Sequence, residues 1–419
     1  MQINWSGRSH KYSNKDINYL VKIIKIADPL TQGKYLKKFE YVFSKYIKKE
    51  NVFAVSSAAA ALEIISLLLN LKKGDEVIIP AHTYCASAIP FARQGAKIVW
   101  ADIDFSTRVV DINDIMKKIS KKTKAIVIVH LYGYVCDFRE IVEFCKKKRI
   151  KIIEDCAQSL GAEIRKKKAG TLGDFSCYSF HAQKNITTLG EGGMLYVKKN
   201  SLALKVPGLR HNGHCDFKFK KKNYWIPAMG NIDLDIKYKW PYKFTLSEIQ
   251  CGAGILMMKK LDKLNDLRIR RERKFIKSFS QFKELNFNEV FIFRRHVYHL
   301  LSAYYEPTKK INRNDLIKNL YKNYSIKCAV QYYPLYKYPL FKKMGFEKHK
   351  CKNTEKFFNN MISFPFHIWM SDKQFNYMIS SVKKVLIYLR KLNRKKLKKV
   401  ATLYKPSNNN TLTVGVEEN

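Results

Sequence analysis

The first residues that could bind a ligand lie where an apolar run passes into a helical pattern. Ser57, Ala58 and Ala59 join the run 51–55 to the pattern 58–71 through small side chains. Small residues let the backbone N–H groups of a first helical turn approach a phosphate, with the helix dipole assisting. Taken alone, an ordinary N-cap serine is the simpler interpretation of Ser57.

Two further segments supply an aromatic ring and a carboxylate. Tyr84 follows the apolar run 76–79, where its ring could stack on a flat ligand or pack in the core. Asp155 ends a mostly apolar segment, 150–153. Because a buried charge is costly without a partner, Asp155 requires a cation or a strong donor opposite it.

A single lysine completes the set. Lys184 follows the aromatic run 175–180 and precedes the glycine-rich turn 190–193, although the chain holds 63 lysines and a random one means little. The four segments together fit a ligand with a phosphate, a flat ring, a protonated ring nitrogen and an aldehyde. Pyridoxal phosphate (PLP) has all of these, and Asp155 would pair with its ring nitrogen.

Alternating strands and helices are predicted to position these segments. Strands are predicted near 51–55, 76–79, 97–101, 125–130, 151–153 and 194–197, and helices near 58–71, 84–94, 112–119 and 138–148. Val/Ile-rich runs that mostly lack polar alternation are typical of a parallel sheet covered on both faces. Ligands of such α/β domains bind beyond the carboxyl ends of the strands, where all four segments fall.

The pattern of predicted elements changes after the glycine-rich turn and predicts a second, smaller α+β domain. A long helix is expected over 247–279, followed by a strand, a helix and an irregular stretch, with a last helix over 372–392. The predicted units are an N-terminal segment 1–33 packing with the small domain, a large PLP-binding α/β domain 34–255, a small C-terminal domain with its linking helix 256–390, and a disordered basic and polar tail 391–419.

The chain is strongly basic. Lys and Arg total 79 against 35 acidic residues, a formal charge of +44, but only 16 of the 79 are Arg. Lysines spread along the whole chain indicate a compositional bias more than a nucleic-acid face, for which Arg is expected. A nucleic-acid-binding regulator is therefore the less favoured alternative from a different class.

Cysteines and hydropathy exclude other classes. Nine cysteines without a C-x-x-C pair argue against a disulfide framework or a zinc ribbon. The cluster His211, His214 and Cys215 is predicted to be a polar loop, so no metal is expected. The polar start and the short apolar runs predict no membrane span and a cytoplasmic location.

Several motifs in order resemble the DegT/DnrJ/StrS family of nucleotide-sugar aminotransferases, which have the aspartate-aminotransferase type of fold, PLP fold type I. The motifs are Leu30-Thr31-Gln32-Gly33, Gly74 to Pro80, Glu154-Asp155-Cys156-Ala157-Gln158, Gly190 to Gly193, Ser247-Glu248-Ile249-Gln250, Tyr332-Tyr333-Pro334-Leu335 and Ser363 to His367. The resemblance covers nearly the whole chain up to residue 390.

This resemblance implies roles for individual residues. Lys184 is expected to hold the cofactor covalently and then to act as the proton-transfer base. Asp155 is expected to pair with the ring nitrogen, Gln158 to contact the side of the ring hydroxyl, Tyr84 to stack on the ring, and Ser179 to bind the phosphate.

The resemblance also implies a homodimer with shared active sites. In the family a loop before the helix at Ser247 reaches the partner's cofactor phosphate, and the matching residue here is Lys243. The chain departs from the family where Ala58 and Ala59 replace Gly-Thr, which removes a hydroxyl donor and predicts weaker cofactor retention. The stretch 210–236 is longer than the family's common form and is expected to shape an acceptor pocket.

The implied reaction moves an amino group, expected from glutamate, to a keto group of a nucleotide-linked sugar for surface polysaccharide synthesis. Family members that act as PLP/PMP-dependent dehydratases carry His in place of Lys184, so transamination is favoured over dehydration, and an inactive member is a third possibility. His181 and Tyr332 are expected to line the substrate site. Arg294, beside Arg295 and His299, could face a diphosphate or a donor carboxylate.

Overall fold

The computed structural model describes residues 1–217, 229–347 and 350–403, with only the backbone of 395–403. Its strands are β1 Val52–Val55, β2 Glu76–Pro80, β3 Lys97–Ala101, β4 Thr123–Val129, β5 Lys151–Asp155, β6 Glu163–Ile164, β7 Lys167–Lys168, β8 Phe175–Ser179, β9 Gly193–Val197, β10 His214–Cys215, β11 Asn231–Ile232, β12 Leu285–Asn286, β13 Arg294–Arg295, β14 Leu301–Tyr305 and β15 Met361–Phe364.

The α-helices of the described residues follow in the same numbering. They are α1 Asn14–Ile26, α2 Lys34–Ile47, α3 Ala58–Leu68, α4 Ile89–Arg93, α5 Ile112–Lys118, α6 Arg139–Lys147, α7 Asn200–Ala203, α8 Val206–Arg210, α9 Glu248–Met258, α10 Leu261–Ser278, α11 Arg313–Tyr324, α12 Pro339–Lys343, α13 Lys352–Asn360 and α14 Asp372–Leu403. Among these residues no helix has the length and apolarity that crossing a membrane requires.

A seven-stranded sheet forms the centre of the molecule, in the order β1-β9-β8-β5-β4-β2-β3. The pairs joining β8, β5, β4, β2 and β3 are parallel, whereas β9 is antiparallel to both of its neighbours. The Val/Ile-rich runs form buried strands, as expected for a sheet covered on both faces. The predicted mostly parallel α/β domain is confirmed.

Alternate residues of β8 show how the two faces of the sheet are filled. Cys177 belongs to a large apolar cluster that also holds the side chains of α3. Its neighbour Tyr178 belongs to a second cluster, formed with side chains of α2 and α9. Because successive strand side chains point to opposite faces, one aromatic strand anchors both layers.

The second domain follows α10 and has its own core. Strands β12, β14 and β15 form an antiparallel sheet that packs with α11 and α14 around a third apolar cluster. Ile3 pairs with Ile326 and joins that cluster, whereas α1 packs against α9 of the large domain. The terminal helix α14 continues to Leu403, beyond residue 391, where the tail was expected to begin. Residues 404–419 of that tail lie outside the described residues.

Two predicted helices differ in detail. The helix expected over 84–94 is a 3₁₀ turn, Cys85–Ser87, followed by α4, whose Pro90 lies in the first turn, where a missing N–H costs nothing. The long helix expected over 247–279 is two helices, α9 and α10, separated at residues 259 and 260. The turn 85–87 matters for function because it carries Ser87 into the site described next.

Candidate active site

A cavity of about 700 Å³ opens at the carboxyl ends of β1, β2, β4, β5 and β8, within the size range of small-molecule sites. Its lining comes from the large domain, the small domain and the first nine residues of the chain. It includes Trp5, Arg8, Ser9, Ser56, Ser57, Ala58, Ala59, Thr83, Tyr84, Asp155, Ala157, Gln158, Ser179, His181, Lys184, Glu191, Arg268, His299, Gln331, Tyr332, Phe366 and His367.

The start of α3 forms one end of the cavity. Ser57 is its N-cap, and the Ser57 hydroxyl accepts the N–H of Ala60 at 3.0 Å. The N–H groups of Ala58 and Ala59 lie earlier in the first turn, where no intrahelical partner exists, so they are available to a ligand. A Cβ at Gly193 would come within 2.4 Å of the Ser57 carbonyl carbon, so the close approach of β9 to this turn requires glycine.

Ser179, the last residue of β8, adds a hydroxyl to the cavity lining. Its Oγ accepts the backbone N–H of His181 at 3.3 Å and can still donate its own proton. Serine hydroxyls and the start of a helix are donors of the kind that bind phosphate. The side chain of Ala59 contributes no donor.

Asp155 is the carboxylate at the end of β5 and is 6% exposed. Its Oδ2 accepts the Ser87 hydroxyl at 2.8 Å, and its Oδ1 accepts the N–H of Ala157 at 3.0 Å. The Ser87 oxygen is also 3.0 Å from the hydroxyl oxygen of Thr83. A carboxylate can accept about four hydrogen bonds, so Asp155 keeps acceptor capacity for a donor inside the cavity.

Lys184 brings an amine to the same cavity. Burial lowers the pKa of Lys184 to about 8, against the neighbouring Asp155 carboxylate, which raises it. Two hydrogen bonds hold the turn that carries the lysine: Lys184 N–H donates to the carbonyl of His181 at 2.9 Å, and the Lys184 carbonyl accepts the Ser9 hydroxyl at 2.5 Å. An amine with this pKa is partly neutral near pH 7 and can attack a carbonyl carbon.

Aromatic rings and an amide form another wall. Tyr84 lines the cavity with 59% of its surface exposed, and its ring centroid is 6.4 Å from that of Tyr332. Gln158 donates to the Tyr332 hydroxyl at 2.9 Å and accepts the N–H of Tyr132 at 2.8 Å. Burial raises the pKa of Tyr332 to about 12, so it stays a neutral phenol. The amide of Gln158 is therefore held by protein groups on both sides.

The other predicted site residues divide into two groups. His181 and Tyr332 line the cavity, and His181 Nε2 is 3.8 Å from a carboxylate oxygen of Glu191. Arg294 does not line the cavity, so its prediction as a substrate residue is wrong. Its guanidinium donates to the carbonyl of Val135 and lies 4.8 Å over the ring of Tyr134.

Lys243 is exposed, and its backbone pairs with His211 outside this chain's cavity. The predicted reach of Lys243 into a partner subunit concerns a second chain and stays a prediction. The acceptor-pocket stretch, predicted over 210–236, falls partly on residues 218–228, which lie outside the described residues.

Three parts of the cavity were not expected from sequence. The segment Trp5 to Ser9 crosses it, tied down by the Gln183 amide, which donates to the carbonyl of Ser6 at 2.9 Å. Arg268 and His367 arrive from α10 and from the stretch after β15. For His367 the one available sequence signal was the motif at 363–367. For Arg268 there was none, because nothing local distinguishes it from the neighbouring arginines of α10.

Comparison with known proteins agrees with this geometry. The sequence profile of the DegT/DnrJ/EryC1/StrS aminotransferase family matches residues 11–383. GDP-perosamine synthase of Vibrio cholerae is 28% identical over 84% of this chain and 91% of its own. The 3-oxo-glucose-6-phosphate:glutamate aminotransferase of Bacillus subtilis is 28% identical over 76% of this chain and 67% of its own.

Solved structures show the same fold. Spr1654 of Streptococcus pneumoniae, described as a sugar aminotransferase, is 27% identical, and its PMP form superposes with a TM-score of 0.83 over 92% of this chain and 100% of that one. Its PLP form gives a TM-score of 0.81 over 93% and 99%. With a profile match across most of its length, the chain belongs to the DegT/DnrJ/EryC1/StrS aminotransferase family.

Proposed function

We propose that this protein is a PLP-dependent aminotransferase that moves an amino group from glutamate to a keto group of a nucleotide-linked sugar. One observation carries the proposal: the amine of Lys184 and the carboxylate of Asp155 line one cavity, with the N-terminus of α3 at its end. An amine, an acceptor for a protonated ring nitrogen and a phosphate cradle are the three groups that PLP needs from a protein.

The donors and acceptors of the cavity fit that cofactor. Asp155 accepts two protein hydrogen bonds and keeps capacity for a third donor, which suits a pyridinium N–H. The N–H groups at the start of α3 and the Ser179 hydroxyl suit the phosphate, and the Tyr84 ring suits a face of the pyridine. When bound, PLP supplies an electron sink that stabilises negative charge at the substrate carbon.

The chain's own residues orient the reaction and move its protons. Lys184 Nζ would hold the cofactor covalently, and the same amine would be the base that carries a proton at the substrate carbon. Asp155 would keep the ring nitrogen protonated, and Ser87 and Ala157 hold the two oxygens of Asp155 in place. Ser9 orients the turn that carries the lysine, so the N-terminal segment takes part in positioning the amine.

The relatives support the substrate class. The Vibrio relative's name specifies a GDP-linked sugar product, and the Bacillus relative's name specifies glutamate as donor and a sugar phosphate as acceptor. Both names specify a sugar that carries phosphate, so a phosphorylated or nucleotide-linked keto sugar is the acceptor class to test first. Dehydration is the second candidate, and Lys184 in the cavity favours transamination over it.

We also propose that the active unit is a dimer in which Lys243 binds the cofactor phosphate of its neighbour. Two observations support it: Lys243 is exposed outside its own cavity, and Ala59 leaves the phosphate cradle one hydroxyl short. A phosphate ester is dianionic, whereas a helix N-terminus supplies only about half an elementary charge.

Subunit mixing tests the shared site. Lys243→Ala should raise the cofactor dissociation constant through a loss of about 1.5–3 kcal/mol of binding free energy, and Ala59→Thr should recover part of that loss. Mixing Lys243→Ala with Lys184→Ala subunits should restore activity, because each mixed dimer keeps one intact site. An active monomer, or mixtures no better than either parent, would refute the dimer.

Cofactor trapping tests the main proposal. The protein with added PLP should absorb in the visible range, and borohydride should fix the cofactor on the peptide that holds Lys184. Lys184→Arg, which keeps the charge but not the reactivity, is the matched control and should give no label. A label on another lysine, or no label on the wild type, rejects this assignment.

A further inference from the structure

Arg268 is a charged side chain that no step of the proposed reaction uses. It lies on α10, is 1% exposed and lines the cavity. Its Nε and Nη1 are buried and have no hydrogen-bond partner among the described residues. Its guanidinium carbon is 5.5 Å from the ring centroid of Phe366, a weak contact that satisfies none of its N–H donors. A buried guanidinium in this state is costly unless a ligand pairs with it.

The carboxyl group of Glu272 lies near Arg268 but does not hydrogen-bond to it. Glu272 lies one turn further along α10, is itself 1% exposed, and neither of its carboxyl oxygens has a partner among the described residues. Burial raises the pKa of Glu272 well above its usual range, although Arg268 acts to lower it. Glu272 therefore gives Arg268 no hydrogen bond, although the two groups act on one another electrostatically.

The histidines around Arg268 are uncharged at neutral pH. Burial, with help from Lys184 and Arg268, holds the pKa of His299 well below its usual range. Burial and the same arginine lower the pKa of His367 to about 4 and that of His10 to about 3. Burial lowers the pKa of Arg268 itself only to about 10, so it remains charged. At neutral pH these histidines are therefore uncharged, whereas Arg268 stays cationic, as does most of Lys184 in the same cavity.

We propose that Arg268 binds a carboxylate group of the substrate, and that the amino donor supplies this group. The fork of a guanidinium matches a carboxylate with two parallel hydrogen bonds. The inference deepens the proposed function and rests on it. Arg268, His299 and Lys184 line the same cavity, which puts the carboxylate in the same cavity as the reacting amine.

Burial of the arginine selects the donor over the sugar as the source. Arg268 is almost fully enclosed, so only a small molecule or the innermost end of a larger one reaches it. A dicarboxylic amino acid has a carboxylate at each end, whereas a hexose ring presents hydroxyl groups unless it carries an acid. Glucuronate serves as the probe for that second source.

Binding of unreactive acids tests the assignment without any turnover. Glutarate is titrated calorimetrically into the PLP-loaded wild type, Arg268→Met and Arg268→Lys, with glucuronate in parallel. We expect Arg268→Met to weaken glutarate binding roughly 10- to 100-fold, the usual effect of losing a charged hydrogen-bond pair, and Arg268→Lys to weaken it less. Arg270→Met is the matched control, since Arg270 is exposed on the same helix.

Two other measurements separate this role from a structural one. The L-glutamate concentration giving half the maximal rate of cofactor conversion, followed by absorbance, should rise by the same factor in Arg268→Met. The melting temperature of Arg268→Met without ligand should not fall, because an unpaired buried charge is removed. A fall of several degrees with unchanged glutarate affinity would mean that Arg268 only supports the fold.

The remaining outcomes are equally decisive. Equal glutarate affinity in the wild type and Arg268→Met overturns the inference, and a loss of glucuronate binding alone overturns the assignment to the donor. If borohydride still labels Lys184 and L-glutamate still converts the cofactor, an unaffected Arg268→Met counts against this inference and leaves the proposed function intact.

Discussion

Glu154 and Asp155 are adjacent carboxylates at the end of β5 that point to opposite faces of the sheet. Glu154 accepts hydrogen bonds from the backbone N–H groups of Gly170, Leu172 and Gly173 and lies 2.9 Å from His130 Nε2. Asp155 has two donors and lines the cavity. One carboxylate is saturated by the protein and the other is left partly free, which distinguishes a structural acid from one kept for a ligand.

The same contrast holds for buried arginines. Arg210 bonds Glu40 and the carbonyl of Ala54 at 2.7 Å, joining α8 to β1. Arg268 has no such partner among the described residues and faces the cavity. In both pairs the type of residue and its burial are similar, and only the partners differ. Counting the partners of a buried charge therefore separates support from function better than burial does.

Removing the charge of Asp155 should give the largest effect on the reaction. Asp155→Asn should lower the transamination rate by several powers of ten while cofactor binding stays measurable, because the charge is needed mainly in the transition state. Single-turnover conversion of the cofactor by L-glutamate measures it. Near-normal turnover in the Asn variant would contradict the assigned role.

Glu154→Gln changes the structural carboxylate of this pair, so it should lower the stability of the protein and leave the reaction unaffected. An amide cannot accept all the hydrogen bonds that the carboxylate accepts, so the free energy of unfolding should fall by about 3–5 kcal/mol. Urea unfolding measures it, and the rate per folded molecule should stay near normal. A large loss of turnover with unchanged stability would reverse the comparison.

Lowering the pH should reveal the contribution of Glu154 to stability. Burial alone would raise the pKa of Glu154, but His130 and the N–H groups of Gly173 and Gly170 outweigh it and hold the pKa below its usual value. The stability it contributes is therefore present above the unfolded pKa near 4.5 and is lost as pH falls through the folded pKa. In Glu154→Gln the decline in stability below about pH 4.5 should be shallower than in the wild type.

The rate of cofactor attachment should depend on the protonation state of Lys184. Only the neutral amine reacts, so with a pKa of about 8 the rate of PLP attachment to the cofactor-free protein should rise roughly 50-fold from pH 6 to 8 and level off above it. Stopped-flow absorbance across pH 6–10 measures the rate. A rise that continues to pH 10 would show that burial does not lower this pKa.

Ser87→Ala should produce the smallest change. It removes the Ser87 donor to Asp155 and leaves the Ala157 N–H in place, so the lower end of the range of about 1.5–3 kcal/mol for a hydrogen bond to a charged group applies and turnover should fall roughly 10-fold. Ser66→Ala, which removes a buried hydroxyl bonded to the carbonyl of Glu63, is a suitable control and should leave turnover unchanged. Equal rates for the two variants would mean that Ala157 alone orients Asp155.

The sequence by itself determined the central sheet and the groups at its strand ends. Apolar runs without polar alternation indicate buried parallel strands, and the ends of such strands meet along one edge. Tyr84, Asp155, Ser179 and Lys184 could therefore be assigned to one cavity from local patterns, because each lies close in sequence to the strand that carries it.

Only the tertiary structure decided which distant groups join them. Arg268 enters the cavity because α10 crosses between the domains, and Ser9 reaches Lys184 across 175 residues of chain. Arg294 leaves it because β13 pairs with β6, away from the strand ends. Contacts between elements far apart in the chain depend on packing angles and on the remaining partners, and these leave no local pattern in a single sequence.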